Sequence, residues 1–336
     1  MSIRKRSPLS AVILTLFLIV GAFASSGAMA RSTLKIASFN VGGSWYIYAE
    51  TIAKLAGEQL GDDYNIEVLP YQGGVGNPML VNRGKADLGL SFSALSNWAY
   101  NGIVAFDEKQ SDIRALVGGL NNPHRLGIVA REDLGIDSLQ DIKDKKMSVR
   151  LVTVQVGGAG EALARMALEA YGMSYEDIEK WGGSVTHTDL PVALQRMRDG
   201  QADLFIHNIG YRQPDVMELA IGTSLDFIPL GKEQRESLVK QYGFEPGLAI
   251  KKGEFEGVEK DIPSIGYPTG VIASKDLPND VAYQITKAIC EHPDKLADAH
   301  ASLKAFDPEE AADSTKNGGI PLHPGARKYY KEQGLL

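Results

Sequence analysis

Leu34-Lys35-Ile36-Ala37-Ser38-Phe39-Asn40-Val41-Gly42-Gly43-Ser44-Trp45-Tyr46 is the stretch that decides how this chain folds. An apolar run predicts a strand over 34–38, and glycines follow at 42 and 43. Helical periodicity then holds over 46–60, with Ile52, Leu55, Ala56 and Leu60 on one face. The same order recurs downstream: residues 66–70 read as a strand, 78–82 as a short helix and 86–91 as another strand. Strands alternating with helices across short loops call for an α/β class, with a parallel or mixed sheet flanked by helices. A second run starts with a strand over 146–151 and continues with a helix over 161–171, which Gly172 ends. The charged stretch 133–146 between the two runs is expected close to a lobe boundary.

An internal echo supports two related lobes. Arg83-Gly84-Lys85-Ala86-Asp87-Leu88 closes a helix and opens an apolar strand that runs into Ser91 and Ser93. Arg198-Asp199-Gly200-Gln201-Ala202-Asp203-Leu204 does the same and runs into His207 and Asn208. Ligands of open α/β sheets bind beyond the carboxyl ends of the strands, where these polar residues fall. Three glycine turns point to the same place: Gly42-Gly43-Ser44, Gly73-Gly74-Val75-Gly76-Asn77 and Gly157-Gly158-Ala159-Gly160. Pro78 then suits the first position of a helix. Such turns let backbone N–H groups approach a ligand, and helix N-termini favour anions. A cleft lined with donors is the expectation.

The N-terminus reads as an export signal. Arg4, Lys5 and Arg6 precede an apolar run over 11–23, and Ala28-Met29-Ala30 offers a small-x-small cleavage site. The run is shorter than the roughly 20 residues of a membrane-spanning helix. Residues 1–30 are therefore expected to be a signal peptide cleaved after Ala30, which places the mature chain in the periplasm. The leader holds three of the 35 basic residues and none of the 42 acidic ones, so the mature chain carries a net charge of −10. That balance is a poor match to nucleic acid or anionic lipid. Cys290 is the sole cysteine, so an internal disulfide is excluded.

Several chemistries drop out. There is no Gly-Lys-Ser/Thr closing a glycine run, and Leu163 stands where a dinucleotide fingerprint would need glycine. The chain has no Gly-x-Ser-x-Gly elbow and no His-Glu-x-x-His helix. Its six histidines are scattered, so no metal, cofactor or catalytic residue is assigned. His207 is the one histidine expected at a strand's carboxyl end, where it either touches ligand, caps the strand or faces solvent.

At these residues the chain resembles the TAXI subgroup of solute receptors for TRAP transporters, which are tripartite and ATP-independent. Gly42-Gly43-Ser44-Trp45-Tyr46 is similar to that family's Gly-Gly-Thr-Tyr-Tyr turn. Gly73-Gly74-Val75-Gly76-Asn77 resembles its Gly-Gly-Ser-Val-Glu-Asn segment, one residue shorter. Ala86-Asp87-Leu88, Ala99-Tyr100-Asn101-Gly102 and Pro321-Leu322-His323-Pro324-Gly325-Ala326, followed by Tyr329-Tyr330, match further segments.

The resemblance implies a two-lobed, type II periplasmic-binding fold with a hinge, and no enzymatic activity. Such a protein closes on a small organic acid or amino acid and delivers it, as a monomer, to an ion-gradient-driven membrane partner. The lobes are expected at 31–124 plus 268–336 and at 125–267. Residue by residue, the resemblance implies ligand contacts at Gly43, Ser44, Trp45, Tyr46, Gly74, Ser91 and Ser93, and at Gly158, Ala159, Gly160 and Glu161 in the second lobe. Phe92-Ser93-Ala94 replaces the family's Gln-Ser-Asp, so Phe92 adds apolar surface to the rim. A longer connection over 150–156 is expected to bring Arg150 to a strand end facing the cleft, as a carboxylate clamp. A ligand sensor signalling to a kinase and an exported enzyme on the same fold stay open as alternatives.

Overall fold

The computed structural model describes residues 32–336 other than Asn40, Gln72 and Gly157. The expected leader and its cleavage point after Ala30 lie outside the described residues, as does Gly157 of the third glycine turn.

The first half opens with β1 (Ser32–Ala37), α1 (Ser44–Leu60), β2 (Tyr64–Leu69), α2 (Gly76–Asn82), β3 (Leu88–Phe92), α3 (Ser93–Asn101) and β4 (Ile113–Val117). The middle of the chain forms β5 (His124–Arg131), α4 (Leu139–Lys145), β6 (Arg150–Val154), α5 (Ala159–Ala170), α6 (Tyr175–Lys180), β7 (Ser184–Thr188), α7 (Leu190–Arg198) and β8 (Leu204–Ile209). It continues through α8 (Pro214–Gly222), β9 (Leu225–Phe227), α9 (Lys232–Tyr242), β10 (Ala249–Ile250), β11 (Ile262–Pro263) and β12 (Gly266–Tyr267). The last stretch adds β13 (Thr269–Ser274), α10 (Asn279–Cys290), α11 (Pro293–Ala299) and α12 (Pro324–Glu332).

Two large sheets result, each anchoring a lobe, beside a small antiparallel pair of β10 and β11. The first has strand order β2-β1-β3-β13-β4, with β1 parallel to β2 and β3, and β13 antiparallel to both neighbours. The second has order β12-β5-β8-β6-β7, with β9 added beside β5. Here β6 runs parallel to β7 and β8, and β5 runs antiparallel to β8.

Helix α1 shows why the first lobe packs as it does. Trp45, Tyr48, Ala49, Ile52, Leu55 and Ala56 recur at helical spacing and are all buried. They share a core with β1, β3, α10 and α12 through Ile36, Leu90, Ile285 and Tyr330.

The chain crosses between sheets twice, after β4 and between β12 and β13. The crossings are tied to each other: Leu120 N–H donates to the Thr269 carbonyl at 2.8 Å, and Thr269 N–H donates to Asn121 Oδ1 at 2.8 Å. A Cβ on Gly266 would collide with the His124 carbonyl, so glycine lets β12 lie close against β5.

The predicted boundary stretch 133–146 is not the crossing. It forms a turn and α4, whose start is fixed by a capping box between Ser138 and Asp141. The second-run strand begins at Arg150 and not at 146, because Lys146 adopts φ 48 as the left-handed cap that ends α4.

The internal echo is structural. Asp87 Oδ2 accepts the Lys35 N–H at 2.8 Å, and Asp203 Oδ2 accepts the Arg150 N–H at 2.8 Å. The backbone N–H groups of the two aspartates return to the Lys35 and Arg150 carbonyls, each at 2.9 Å. Their own carbonyls accept from Ser274 and Arg131, again at 2.9 Å. The same clasp therefore locks the entrance of the central strand in both sheets.

Across the lobes, α3 reaches over to the second sheet's partners. Trp98 is 1% exposed, stacks edge-on against Phe244 and donates its indole N–H to the Tyr242 carbonyl at 2.9 Å. Nearby, Lys316 Nζ meets Glu245 Oε1 at 2.5 Å, joining the C-terminal segment to the middle one.

Candidate functional site

A cavity of about 840 Å³ lies between the two lobes. The glycine turns before α1, α2 and α5 all open onto it. Neither α1 nor α5 has a side-chain cap: Gly43 and Gly158 stand at their N-cap positions, so the first backbone N–H groups of both helices are left for a ligand. The start of α8 meets the same space, with Gln213 at its uncapped N-cap position and Pro214 next.

The floor on the first-lobe side is aromatic. Phe92 lies 4.7 Å from Trp45, 4.8 Å from Tyr267 and 5.1 Å from His124, measured between ring centroids. Trp45 belongs to the lobe core and lines the cavity as well, and its indole N–H donates to Thr269 Oγ1 at 3.1 Å. Phe39 closes one side. A Cβ on Gly73 would stand 2.8 Å from its ring, so only glycine lets that turn fold over it.

The second lobe contributes His124 from β5 and His207 and Asn208 from β8. Burial, aided by the nearby Arg125 charge, pushes the His124 pKa down to about 4. Burial with the neighbouring His124 pushes His207 down to about 3. Both rings are therefore neutral near pH 7. Arg125 itself does not reach the cavity: its guanidinium is paired with the buried Glu254 and lies under Tyr211.

A third wall comes from far along the chain. Tyr48 hydroxyl is bonded to Ser302 Oγ, which is bonded in turn to His300 Nδ1 at 2.8 Å. His300 Nδ1 also accepts the Ser302 N–H at 3.2 Å, a local cap. No Asp, Glu, Lys or Arg lines the cavity among the described residues. No group of three His, Cys, Asp or Glu side chains suited to a metal occurs among them.

Of the expected contacts, Gly43, Ser44, Trp45, Gly74, Phe92, Gly158, Ala159 and His207 line the cavity. The others do not. Tyr46 sits one helical step from Trp45 and turns its hydroxyl to Glu50. Ser91 is buried and accepts from Ser96 Oγ at 2.9 Å. Ser93 is buried at the start of α3, with its hydroxyl unpartnered. Gly160 lies behind His207, where a Cβ would overlap the ring. Glu161 turns away into the helix pair, where Tyr175 hydroxyl donates to it at 3.3 Å and Arg165 lies 3.6 Å off.

Arg150 lies farther off. It opens β6 at the end opposite Gly158 and is paired with Asp203, away from the residues that line the cavity. Tyr48, Asn121, His124, Tyr211, Gln213, His300 and Ser302 were all missed from sequence and line the cavity.

Residues 36–334 match the model of the NMT1-like family. The chain belongs to the NMT1-like family. Solved structures share the fold of this NMT1-like chain at low identity. PhnD1 from Prochlorococcus marinus, in complex with methylphosphonate, superposes with a TM-score of 0.54 at 11% identity, over 91% of this chain and 99% of that one. MatC from Rhodopseudomonas palustris, with bound malate, gives 0.53 at 13% identity, over 91% and 99%. A TctC solute binding protein from Polaromonas gives 0.50 at 16%, over 91% and 98%. The two-lobed α/β architecture of this NMT1-like protein is thus the one these solved structures share.

Proposed function

We propose that this protein is an exported solute receptor: it holds a small molecule between its lobes and delivers it to a membrane transporter. The observation that carries the reading is the cavity itself. It is built from both lobes at once and faced by the uncapped N-termini of α1 and α5. Residues 31–124 with 268–336 form one lobe and 125–267 the other, so the paired crossings at Leu120–Asn121 and Thr269 act as the hinge. The protein works as a monomer in the periplasm after losing residues 1–30.

The partner in this reading is a TRAP-type permease driven by an ion gradient. The likeness of the turns at 42–46 and 73–77 and of the segment at 321–330 to TAXI receptors supports it. Native mass spectrometry of protein from a periplasmic extract tests the receptor role. It should show a chain starting at Arg31 with a small adduct that leaves on denaturation. A full-length chain in the membrane fraction, or protein that neither carries nor binds any solute, would contradict it. Uptake into vesicles carrying the permease should collapse when the ion gradient is dissipated and should persist without ATP. The opposite pattern would reassign the partner.

A further inference from the structure

We infer that the cleft selects a solute with one oxyanion head and a planar apolar body, and that His124 and His207, both neutral, donate to that head from Nε2. The inference rests on the receptor reading above and names its ligand class.

The proton placement follows from burial. Nδ1 of both histidines is enclosed and has no hydrogen-bond partner. A buried N–H without an acceptor is rarer and costlier than a lone pair without a donor. The proton therefore sits on Nε2, which is absent from the enclosed, unpartnered atoms and belongs to rings that line the cavity. The depressed pKa values of both rings agree with neutral donors.

The amides add to the same array. Asn121 Oδ1 already accepts the Thr269 N–H at 2.8 Å, and Gln213 Oε1 accepts the Gly210 N–H at 2.9 Å. Gln213 keeps its NH₂ as a group on offer, whereas the Asn121 amide is also bonded to the Tyr48 hydroxyl. With the open N–H groups of α1 and α5, the fixed polar surface is rich in donors and bears no full charge.

This combination discriminates. One oxyanion gains several hydrogen bonds that are stronger for its charge. A dicarboxylate would bury a second charge with no cation beside it, and an amino acid would bring an ammonium with no carboxylate to meet it. Trp45 and Phe92, in ring contact with each other, give the lining an aromatic surface suited to a flat body.

Calorimetry tests the class with three sets of probes. The first is benzoate, phenylacetate, indole-3-acetate and benzenesulfonate. The second is phenylalanine, tryptophan, phenylacetamide and indole-3-acetamide. The third is malate and succinate. The tightest monoanion should bind at least tenfold more tightly than its amino-acid and amide counterparts, and the dicarboxylates should not register. An amino acid, amide or dicarboxylate binding tightest would overturn the class and leave the receptor role intact. If no probe binds the folded protein, the class falls, and the receptor role is decided by the native mass spectrum alone.

His124→Phe and His207→Phe should each weaken monoanion binding at least tenfold, while His124→Gln and His207→Gln, which keep a donor, stay within about threefold. Phe variants that fold and bind like the parent would remove the histidines from the site. Affinity should also be flat from pH 8 to pH 6. The titratable groups around the pair are Arg125, held by Glu254, with Tyr211 above it, Tyr267 opposite His124 on β12, and His300 with Tyr48 on the facing wall. Burial lowers the His300 pKa too. A tenfold gain on acidification across that range would mark a cationic histidine as the partner and overturn the neutral-donor assignment.

Discussion

Arg150 is bound to Asp203: its Nε donates to the carboxylate at 3.0 Å, and its backbone N–H donates to the same oxygen at 2.8 Å. The bond from Lys35 N–H to Asp87 repeats the backbone half of this clasp in the other sheet. Two aspartates thus secure the entrances of β3 and β8, the strands that divide each sheet.

The clasp predicts an asymmetric pair of variants. Arg150→Ala removes only an exposed ion pair and should cost about 0–1 kcal/mol. Asp203→Ala strands the Arg150 N–H and should cost about 1–3 kcal/mol, with Asp87→Ala similar. Chemical denaturation reads both, and solute binding should be unchanged in Arg150→Ala. Equal losses for Arg150→Ala and Asp203→Ala would mean that the side-chain pair, not the backbone bond, holds the strand.

The same aspartate sets a pH trend. Burial pushes the Asp203 carboxyl upward, but the Arg150 bonds outweigh it and hold the pKa below the ordinary aspartate value. A depressed folded-state pKa stabilises above the unfolded value near 4 and is lost as pH falls through the folded one. Stability of the parent should therefore decline more steeply below pH 4 than that of Asp203→Asn. Parallel curves would contradict it.

Trp45 serves core and cleft together, so its two functions separate by variant. Trp45→Phe loses the indole bond to Thr269 but keeps a ring, and should cost about 0.5–1.5 kcal/mol of stability. Trp45→Ala should cost about 3–5 kcal/mol and weaken solute binding by about ten- to a hundredfold. Normal binding by a destabilised Trp45→Ala protein would place the residue in the core alone.

Much of the fold was legible because periodicity over 34–60 and the glycine turns are local signals. Strand ends shifted where turn chemistry intervened, as at Lys146, whose left-handed backbone belongs to the helix before it. In the site, the turn residues were legible and the walls were not. The resemblance of the first turn implies Tyr46, but residues that share a helical face stand three or four positions apart, so Tyr48 joins Trp45 at the cavity. His124 escaped because the rule of carboxyl ends assumes parallel strands. β5 runs antiparallel to β8, and its amino end meets the cleft. Ser302 lies 254 residues from the Tyr48 it touches, with no local signal to join them.

Gly160 offers a test of His207 that leaves the ring itself in place. A Cβ at 160 would overlap His207 and would stand 3.0 Å from Asn208 Oδ1. Gly160→Ala must therefore displace the imidazole, and solute affinity should fall at least tenfold while the far clasp at Asp203 is untouched. Unchanged affinity would show that His207 does not contact the solute.

The most direct measurement is a crystal structure of the protein with its tightest-binding monoanion. The solute should lie between Trp45 and Phe92 on one lobe and His124, His207 and the start of α5 on the other, with its oxyanion within hydrogen-bond distance of at least one histidine Nε2. A solute bound outside this cavity, or touching one lobe only, would contradict the receptor reading at its foundation.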